Sequence, residues 1–289
     1  MSVHVGRTMG HMPADCPILV DQTWVASHPD ALLADVRWYL DGRDGREAFE
    51  TKHITGAIFV DLNSDLSGHG RATDGRHPLP SPEGFAANLG RLGIGEHDTV
   101  VAYDDSGGGT AGRLVWMLRT IGRRAALLDG GLRSWSGATA SGPSIPREQT
   151  KVAFVRWPSD KIISVDDVAA RGGASLTVLD ARSAERYRGE NEPVEARAGH
   201  IPGAVSAPWN QNLDPATGRF LPAAQLRARF EALGISDDDD VAGSCGSGVS
   251  TCANLIALEL AGITNAKLFV PSFSGWAADP ARPVATGAH

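Results

Sequence analysis

A single cysteine, Cys245, opens the run CGSGVSTC, where a short apolar stretch gives way to a helical pattern. Glycines 246 and 248 let the backbone curl so that successive amide hydrogens point toward the sulfur, and the following helix adds the positive end of its dipole. Such surroundings favour the thiolate over the thiol. A thiolate can attack a sulfur or phosphorus centre, and the amides of residues 246–250 can then hold the negative charge. The run therefore predicts a nucleophile rather than a buried, inert cysteine.

The composition limits the kinds of protein that this chain can be. It has 289 residues, of which 42% are hydrophobic and 21% charged, and a net charge of −7. The negative balance argues against nucleic-acid binding, and no apolar run approaches the roughly 20 residues that span a bilayer. The three cysteines show neither a disulfide framework nor zinc-type spacing, and the N-terminal residues lack the apolar core of a secretory signal. We expect a cytoplasmic protein of about two domains that binds neither membrane nor nucleic acid.

The elements that must position Cys245 occur twice in the chain. Leu92 and Leu233, each opening an LGI run, lie 141 residues apart, and so do Trp135 and Trp276. ADVR and HITGA in the first half also match LDAR and HIPGA in the second. In each half, short apolar runs alternate with helical stretches, which predicts an α/β fold with a parallel sheet flanked by helices.

A stretch rich in Gly, Ser, Thr and Pro, with no periodicity, separates the two copies and is typical of a linker. The predicted parts are an N-terminal tail at 1–17, a first domain at 18–137, a linker at 138–160 and a second domain at 161–285.

The first copy lacks the nucleophile. The offset of 141 residues places Asp104 opposite Cys245, and the loop DDSGGGTAGR keeps the glycines but begins with a carboxylate. A carboxylate would repel an anionic substrate, so we interpret the first domain as a structural partner and its glycine run as a turn. A phosphate-binding loop is not supported, because the lysine that follows the glycines in such loops is absent.

Together these features resemble the two-domain rhodanese sulfurtransferases: two copies, an inactive first copy, RYRG, HIPGA after a DAR element, and CGSGVS. The resemblance covers residues 18–285, and CGSGVS is similar to the loop of the 3-mercaptopyruvate branch. It implies tandem rhodanese-like domains and a reaction in which Cys245 takes sulfur from a small-molecule donor, forms a persulfide and releases pyruvate. The sulfur would pass to a thiol acceptor, such as thioredoxin or a small thiol, or to cyanide, with no metal or organic cofactor.

The loop sequence also separates rival activities. A cysteine-dependent phosphatase on a similar fold needs an arginine six positions after its cysteine, and position 251 is Thr. Loops of the thiosulfate-using branch resemble CRKGVT, whereas Gly246 and Ser247 are neutral, which favours mercaptopyruvate over dianionic thiosulfate. Thiosulfate is the alternative donor, and a persulfide carrier or redox-sensing binding protein with little turnover is a further alternative.

The resemblance also implies roles for individual residues. Arg186 in RYRG matches the arginine that contacts the substrate, and a monocarboxylate donor needs such a fixed cation. Ser247 and His77 match a serine and a histidine that pass protons to and from the sulfur. Because His77 lies in the first domain, the site is expected in the cleft between the domains. The candidate substrate-binding residues are Arg186, Arg188, Arg197, Gly246, Gly248, Val249 and Ser250.

Three departures from the family pattern concern the same site. The run DLN places Asn63 where the family has an aspartate; an amide cannot stabilise an imidazolium as a carboxylate does, and it can favour the wrong tautomer. Asp61 or Asp65 could take its place. The second family arginine lies in an EPxPR run, which here reads NEPVEARAGH with Arg197 shifted. The stretch FVPSF at 269–273 replaces a YDGSW-like run and is expected to line the cleft.

Other conspicuous residues are interpreted as structural. Cys252 is predicted to pack in the core, with redox regulation as the alternative. Asp35 and Asp180 are each followed two residues later by an arginine, which favours ion pairs or caps at strand ends. His53 and His200 occupy equivalent places in both copies, including the copy without a nucleophile, which indicates a role in architecture.

Overall fold

The computed structural model describes residues 16–288, so nearly all of the predicted tail at 1–17 lies outside the described residues. Within the described part of the chain, no helix is long and apolar enough to cross a membrane.

The first domain alternates short strands with helices. Its strands are β1 (Leu19–Val20), β2 (Leu32–Asp35), β3 (His53–Ile54), β4 (Ile58–Phe59), β5 (Val100–Tyr103), β6 (Ala125–Leu128) and β7 (Thr139–Ala140). Its helices are α1 (Gln22–Ser27), α2 (Gly45–Thr51), α3 (Pro82–Arg91) and α4 (Ala111–Thr120).

The second domain repeats this alternation. Its strands are β8 (Thr177–Asp180), β9 (Val205–Ser206), β10 (Val241–Ser244) and β11 (Lys267–Leu268). Its helices are α5 (Val165–Arg171), α6 (Ala184–Arg188), α7 (Ala223–Ala232), α8 (Thr251–Leu260) and α9 (Ser272–Ala278). Short 3-10 turns occur in both domains, at Ala72–Asp74, Gly131–Ser134, Ser159–Lys161 and Trp209–Asn212.

Each domain is built on a parallel sheet, with strand order β1-β6-β5-β2-β4 in the first and β11-β10-β8-β9 in the second. Strand β5 is buried, and its alternate residues enter different core clusters, Val100 and Ala102 on one face and Val101 and Tyr103 on the other. Helices α3 and α4 cover the first of these faces, while α1 and α2 cover the second. The predicted parallel sheets flanked by helices are confirmed.

One core cluster continues from the first domain into the second. Helix α4 packs against α8, and the two approach so closely at Gly112 that a methyl group there would lie 3.2 Å from the Ala253 backbone nitrogen. This contact fixes the two sheets relative to each other, and with them the loops that follow β5 and β10.

The segment predicted as a linker begins inside the first domain. Strand β7 pairs antiparallel with β3, so residues 139–140 complete a small second sheet there. Further along, the Trp157 indole donates to the Pro80 carbonyl at 2.9 Å. The segment is thus fastened to the first domain over much of its length.

The strand-end Asp and Arg residues form the same buried ion pair in both domains. Arg37 lies 2.8 Å from Asp35, and Arg182 lies 2.6 Å from Asp180. The paired histidines also have equivalent places. Nδ1 of His53 bonds the Phe49 carbonyl and Nδ1 of His200 bonds the Tyr187 carbonyl, and each imidazole stacks on the ring of the same partner. Their structural interpretation agrees with these contacts.

Candidate active site

Cys245 follows strand β10 directly and is only 1% exposed. The stretch 269–273 holds its backbone from behind: the Cys245 amide donates to the Ser272 hydroxyl at 3.2 Å, and the Phe273 amide donates to the Cys245 carbonyl at 2.9 Å. Ser272 has a left-handed φ of 50°, a conformation that non-glycine residues rarely adopt. Contrary to expectation, this stretch supports the loop and does not line the cleft.

The two loop glycines have different roles. Gly248 has a φ of +74°, and a side chain there would come within 2.8 Å of the Val270 carbonyl oxygen, so the turn requires glycine at this position. Gly246 is not left-handed, but a methyl group there would lie 3.3 Å from Nη2 of Arg76 and 3.6 Å from the Arg186 guanidinium. The left-handed turn of the loop therefore comes from Gly248, while Gly246 keeps space open beside Cys245.

The equivalent loop of the first domain shows what such a turn binds. The Asp104 carboxylate, opposite Cys245 in the duplication, accepts hydrogen bonds of 2.8 or 2.9 Å from four backbone amides. The carboxylate fills the turn, which gives a second reason why the first domain has no anion site there. This backbone arrangement therefore suits an anion. The four donors are the amides of Ser106, Gly108, Thr110 and Ala111.

Cys245 borders a cleft of about 470 Å³ between the two domains. The position of His77 in the first domain predicted a site in this cleft. Aromatic side chains from both domains, Trp38, Tyr39 and Trp209, form part of its wall. Of the predicted site residues, those that line it are Cys245, Gly246, Ser247, Val249, Ser250 and Arg186.

Arg186 reaches the cleft from helix α6. Its Nε and Nη2 donate to the Glu192 carboxylate at 3.1 and 2.7 Å, which fixes the plane of the guanidinium. The guanidinium lies beside Gly246, the residue after the nucleophile. The structure thus places the Arg186 guanidinium in the cleft, close to Cys245 in the loop.

Arg188 and Arg197 do not reach the cleft. Because residues 184–188 are helical, Arg188 points to a different face from Arg186, and it pairs with Glu190 at 2.7 Å. Nη2 of Arg197 donates to the Arg282 carbonyl at 2.8 Å. The structure therefore contradicts the placement of Arg188 and Arg197 as substrate ligands.

Ser247, His77 and Asn63 form a chain. Ser247 Oγ lies 2.7 Å from His77 Nδ1, and His77 Nε2 lies 3.2 Å from Asn63 Oδ1. Burial, followed by the charges of Arg76 and Arg113, lowers the pKa of His77 to about 3, so the ring is neutral. Since Oδ1 only accepts, Nε2 carries the hydrogen and Nδ1 is left to accept from the Ser247 hydroxyl. With its amide oxygen toward the ring, Asn63 favours the tautomer that proton transfer needs, contrary to expectation.

Neither nearby aspartate replaces Asn63. Asp61 accepts hydrogen bonds from the amides of Asn63 and Ser64, each at 2.8 Å. Asp65 accepts from the Asp61 amide at 2.9 Å and pairs with Arg91. Asp61 therefore supports the site only indirectly, by holding the loop that carries Asn63.

An arginine that the sequence analysis did not identify lies behind the loop. Arg113, on α4 of the first domain, is completely buried and donates to the carbonyls of Gly248 at 2.8 Å and His77 at 3.0 Å. Burial lowers the pKa of Arg113, while the sulfur atoms of Cys252 and Cys245 favour its charged form. Its position inside the apolar run AGRLVWML was the available signal, because a charged residue is rarely buried without a specific role.

Three more arginines that line the cleft, Arg43, Arg76 and Arg182, were not predicted as cleft residues. Arg76 precedes His77, lines the cleft and pairs with Glu195 at 2.6 Å. Arg182, interpreted only as a strand-end ion pair, also lines the cleft, and its guanidinium lies 3.9 Å from the centroid of the Phe273 ring. Nothing in the local sequence distinguishes Arg76 from an ordinary loop residue.

Cys252 packs in the core between the domains. It is fully buried, its thiol donates to the Gly248 carbonyl at 3.5 Å, and burial raises its pKa to about 12. A thiol kept protonated in this way is a poor redox switch, so the contacts favour the packing interpretation. Among residues 16–288, no group of three His, Cys, Asp or Glu side chains is placed to hold a metal ion.

The duplicated fold and the paired loops place the chain in a known family. A model of the rhodanese-like domain matches residues 21–138 and again residues 164–279, so this chain belongs to the rhodanese-like family and carries two copies of its domain. The predicted fold class is thereby confirmed.

Relatives over most of the chain are enzymes. A probable 3-mercaptopyruvate sulfurtransferase of Pseudomonas aeruginosa is 43% identical over 273 residues, covering 90% of this chain and 94% of that one. A Mycobacterium tuberculosis protein that carries the name of a thiosulfate sulfurtransferase is 40% identical over 268 residues, covering 91% and 93%. The 3-mercaptopyruvate sulfurtransferase from Leishmania major superposes with a TM-score of 0.78 at 27% identity, covering 89% and 73%. The chain is accordingly an enzyme of the sulfurtransferase class.

Proposed function

We propose that the enzyme takes sulfur from 3-mercaptopyruvate, holds it as a persulfide on Cys245 and passes it to a thiol or to cyanide. One observation carries the proposal: Cys245 directly follows its strand, in the position that Asp104 has in the first domain, where a glycine-containing turn holds the carboxylate with four amides. A persulfide is also an anion and, like the carboxylate, needs several hydrogen-bond donors. The amides of residues 246–250 are available to stabilise it.

The first half-reaction moves one sulfur atom. The Cys245 thiolate attacks the donor sulfur, the bond between that sulfur and C3 breaks, and the electron pair goes to C3 as the enolate of pyruvate. The proton of the donor thiol passes to C3, which gives pyruvate and leaves the persulfide anion. In the second half-reaction a thiolate attacks the outer sulfur, which regenerates the Cys245 thiolate and releases the acceptor persulfide. Thioredoxin or a small thiol fits this role.

The chain of Ser247 and His77 provides a route for the proton. Neutral Nδ1 can accept the Ser247 hydroxyl hydrogen while Ser247 Oγ accepts the hydrogen of the donor thiol, and the reverse transfer returns a proton to C3. The 2.7 Å separation between Oγ and Nδ1 supports this direct exchange.

Charge at the cleft supports mercaptopyruvate over thiosulfate as donor. Gly246 and Ser247 are neutral, and the positive charge of each cleft arginine, Arg43, Arg76, Arg182 and Arg186, is balanced by a protein carboxylate. Such a site suits a donor with a single carboxylate better than a dianion. The relative named for thiosulfate makes that donor the second candidate.

Steady-state kinetics with both donors test the proposal. We expect kcat/KM for mercaptopyruvate, with a thiol acceptor, to exceed that for thiosulfate by at least about tenfold, the scale of one charge-assisted hydrogen bond. A higher value for thiosulfate would reverse the donor assignment. Mass spectrometry after donor treatment distinguishes a carrier, since an adduct of one sulfur on Cys245 that no thiol discharges would show storage without turnover.

The pH dependence of sulfur transfer should differ between the natural enzyme, with Asn63, and a variant with aspartate at that position. With the pKa of His77 near 3, the ring stays neutral above about pH 4. Above that pH, the rate of sulfur transfer should therefore show no decrease that is due to protonation of His77. In Asn63→Asp a carboxylate beside Nε2 favours the protonated ring and raises its pKa, so an acid limb should move upward by roughly one to three pH units. Below that limb Nδ1 carries a proton and cannot accept from Ser247.

Asp61→Asn is the matched control for this profile. It also exchanges a carboxylate and an amide in the same loop, but Asp61 makes no contact with the imidazole. Its profile should follow that of the natural enzyme. Coincident profiles for Asn63→Asp and the natural enzyme would remove His77 from the proton route.

A further inference from the structure

We propose that Arg76 of the first domain is the second guanidinium that binds the carboxylate of the donor, together with Arg186 and in the place expected for Arg197. The inference rests on the proposed function and specifies how a small 2-oxo acid is recognised. It makes the domain without a nucleophile a contributor to substrate binding.

The segment that carries Arg76 is clamped onto the second domain. The Arg76 amide donates to the Ser274 hydroxyl at 3.0 Å. A methyl group on Gly75 would lie 2.6 Å from the Pro271 carbonyl oxygen, and one on Gly275 would lie 2.7 Å from the Thr73 carbonyl oxygen. Because the two backbones lie this close, the segment has little freedom to move. Arg76 of the first domain is therefore fixed against the second domain.

Each of the two guanidiniums uses one side for a protein carboxylate. Arg186 donates through Nε and Nη2 to Glu192, and Arg76 donates through Nη1 to Glu195 at 2.6 Å. Among residues 16–288, no hydrogen bond engages Nη1 of Arg186 or Nη2 of Arg76, and the buried Nε of Arg76 also lacks a partner. Both guanidiniums therefore retain donors for a ligand.

The free donors meet beside the nucleophile. A methyl group on Gly246 would lie 3.3 Å from Nη2 of Arg76 and 3.6 Å from Nη1 of Arg186. The absence of a side chain at position 246 therefore leaves a space that is bordered by two cationic nitrogens and that adjoins Cys245. A carboxylate in this space would hold C3 and the sulfur of the donor near the loop.

The Glu195 carboxylate lies within ion-pair distance of both guanidiniums. Oε1 of Glu195 lies 2.6 Å from Nη1 of Arg76 and 3.8 Å from Nη2 of Arg186. Nη2 of Arg76 and Nη1 of Arg186 do not pair with Glu195 and lie next to Gly246. Arg197 cannot supply this contact, because its guanidinium donates to the carbonyls of Arg282 and Pro280.

The variant Arg76→Gln tests the assignment, with Arg197→Gln as the matched control. We expect Arg76→Gln to raise KM for mercaptopyruvate at least about tenfold with little change in kcat, and to weaken inhibition by pyruvate to a similar degree. Arg76→Lys, which keeps a charge but not the planar fork, should recover part of the loss. Arg197→Gln should leave KM and pyruvate inhibition within about twofold of the natural enzyme.

Calorimetric titration with pyruvate separates this inference from the proposed function. If the natural enzyme fails to use mercaptopyruvate, the proposed function is wrong, but pyruvate binding by the natural enzyme and by Arg76→Gln still decides the role of Arg76. The assignment to Arg76 is overturned if pyruvate binds both proteins equally, if neither protein binds it, or if Arg197→Gln shows the larger loss. Thermal unfolding of each variant confirms that the comparison is between folded proteins.

Discussion

Cys245→Ser is expected to reduce sulfur transfer by at least about 1000-fold with any donor, because the variant removes the atom that receives the sulfur. A serine hydroxyl remains protonated near neutral pH and forms no persulfide. The loop itself should persist, since the amide and carbonyl of residue 245 bond the Ser272 hydroxyl and the Phe273 amide, and the substitution leaves all of these groups in place. Activity assays and intact-protein mass spectrometry after donor treatment measure the loss of turnover and of the one-sulfur adduct.

Cys252→Ala is the matched control for the nucleophile. Cys252 lies on the same loop-helix unit but is fully buried, and its raised pKa keeps it a thiol. We expect this variant to load one sulfur and to turn over at nearly the natural rate, with a modest loss of stability from the vacated volume. Retained transfer in Cys245→Ser, or loss of the adduct in Cys252→Ala alone, would show that Cys245 is not the atom that receives the sulfur.

Much of the fold could be predicted from the chain because the duplication provides an internal comparison. Residues 141 positions apart, such as Asp104 and Cys245, occupy the same position directly after equivalent strands, and this register follows from sequence matches alone. The strand-to-helix setting of Cys245 is a local feature, so glycine content and apolar patterning suffice to predict it.

The second cation of the site could not be predicted in the same way. Arg197 and Arg188 lie close to Arg186 in sequence, but helix α6 and the carbonyls of Arg282 and Pro280 direct them away from the cleft. Arg76 is far from Arg186 in sequence and reaches it only because the first domain packs across the cleft. Contacts between domains depend on tertiary packing, and a single sequence carries little information about them.

The favourable tautomer at His77 was also beyond the sequence. It depends on which atom of the Asn63 amide faces the ring and on which ring nitrogen Ser247 approaches. Residue types alone indicate that an amide replaces a carboxylate, whereas the hydrogen-bond geometry decides whether the replacement keeps Nδ1 available as an acceptor.

Arg113→Met is expected to lower the rate at which Cys245 is loaded with sulfur by about 100-fold, the usual scale for removing one fixed donor from an anion-stabilising site. Arg113 fixes two parts of the site at once, since it donates to the carbonyls of Gly248 in the loop and of His77 in the proton route. Its buried guanidinium also interacts electrostatically with the sulfur atoms of Cys252 and Cys245. Methionine retains much of the volume but supplies neither the donors nor the charge.

The effect of Arg113→Met on stability should be much smaller than its effect on chemistry. Burying a guanidinium is costly, so the lost hydrogen bonds are offset by the removal of that cost. Arg119→Met is a suitable comparison: Arg119 lies on the same helix and also bridges to the second domain through Glu259, at 2.9 Å, but does not touch the loop. Single-turnover loading followed by mass spectrometry should be slow in Arg113→Met and normal in Arg119→Met. Equal loading rates in the two variants would show that Arg113 serves only to join the domains.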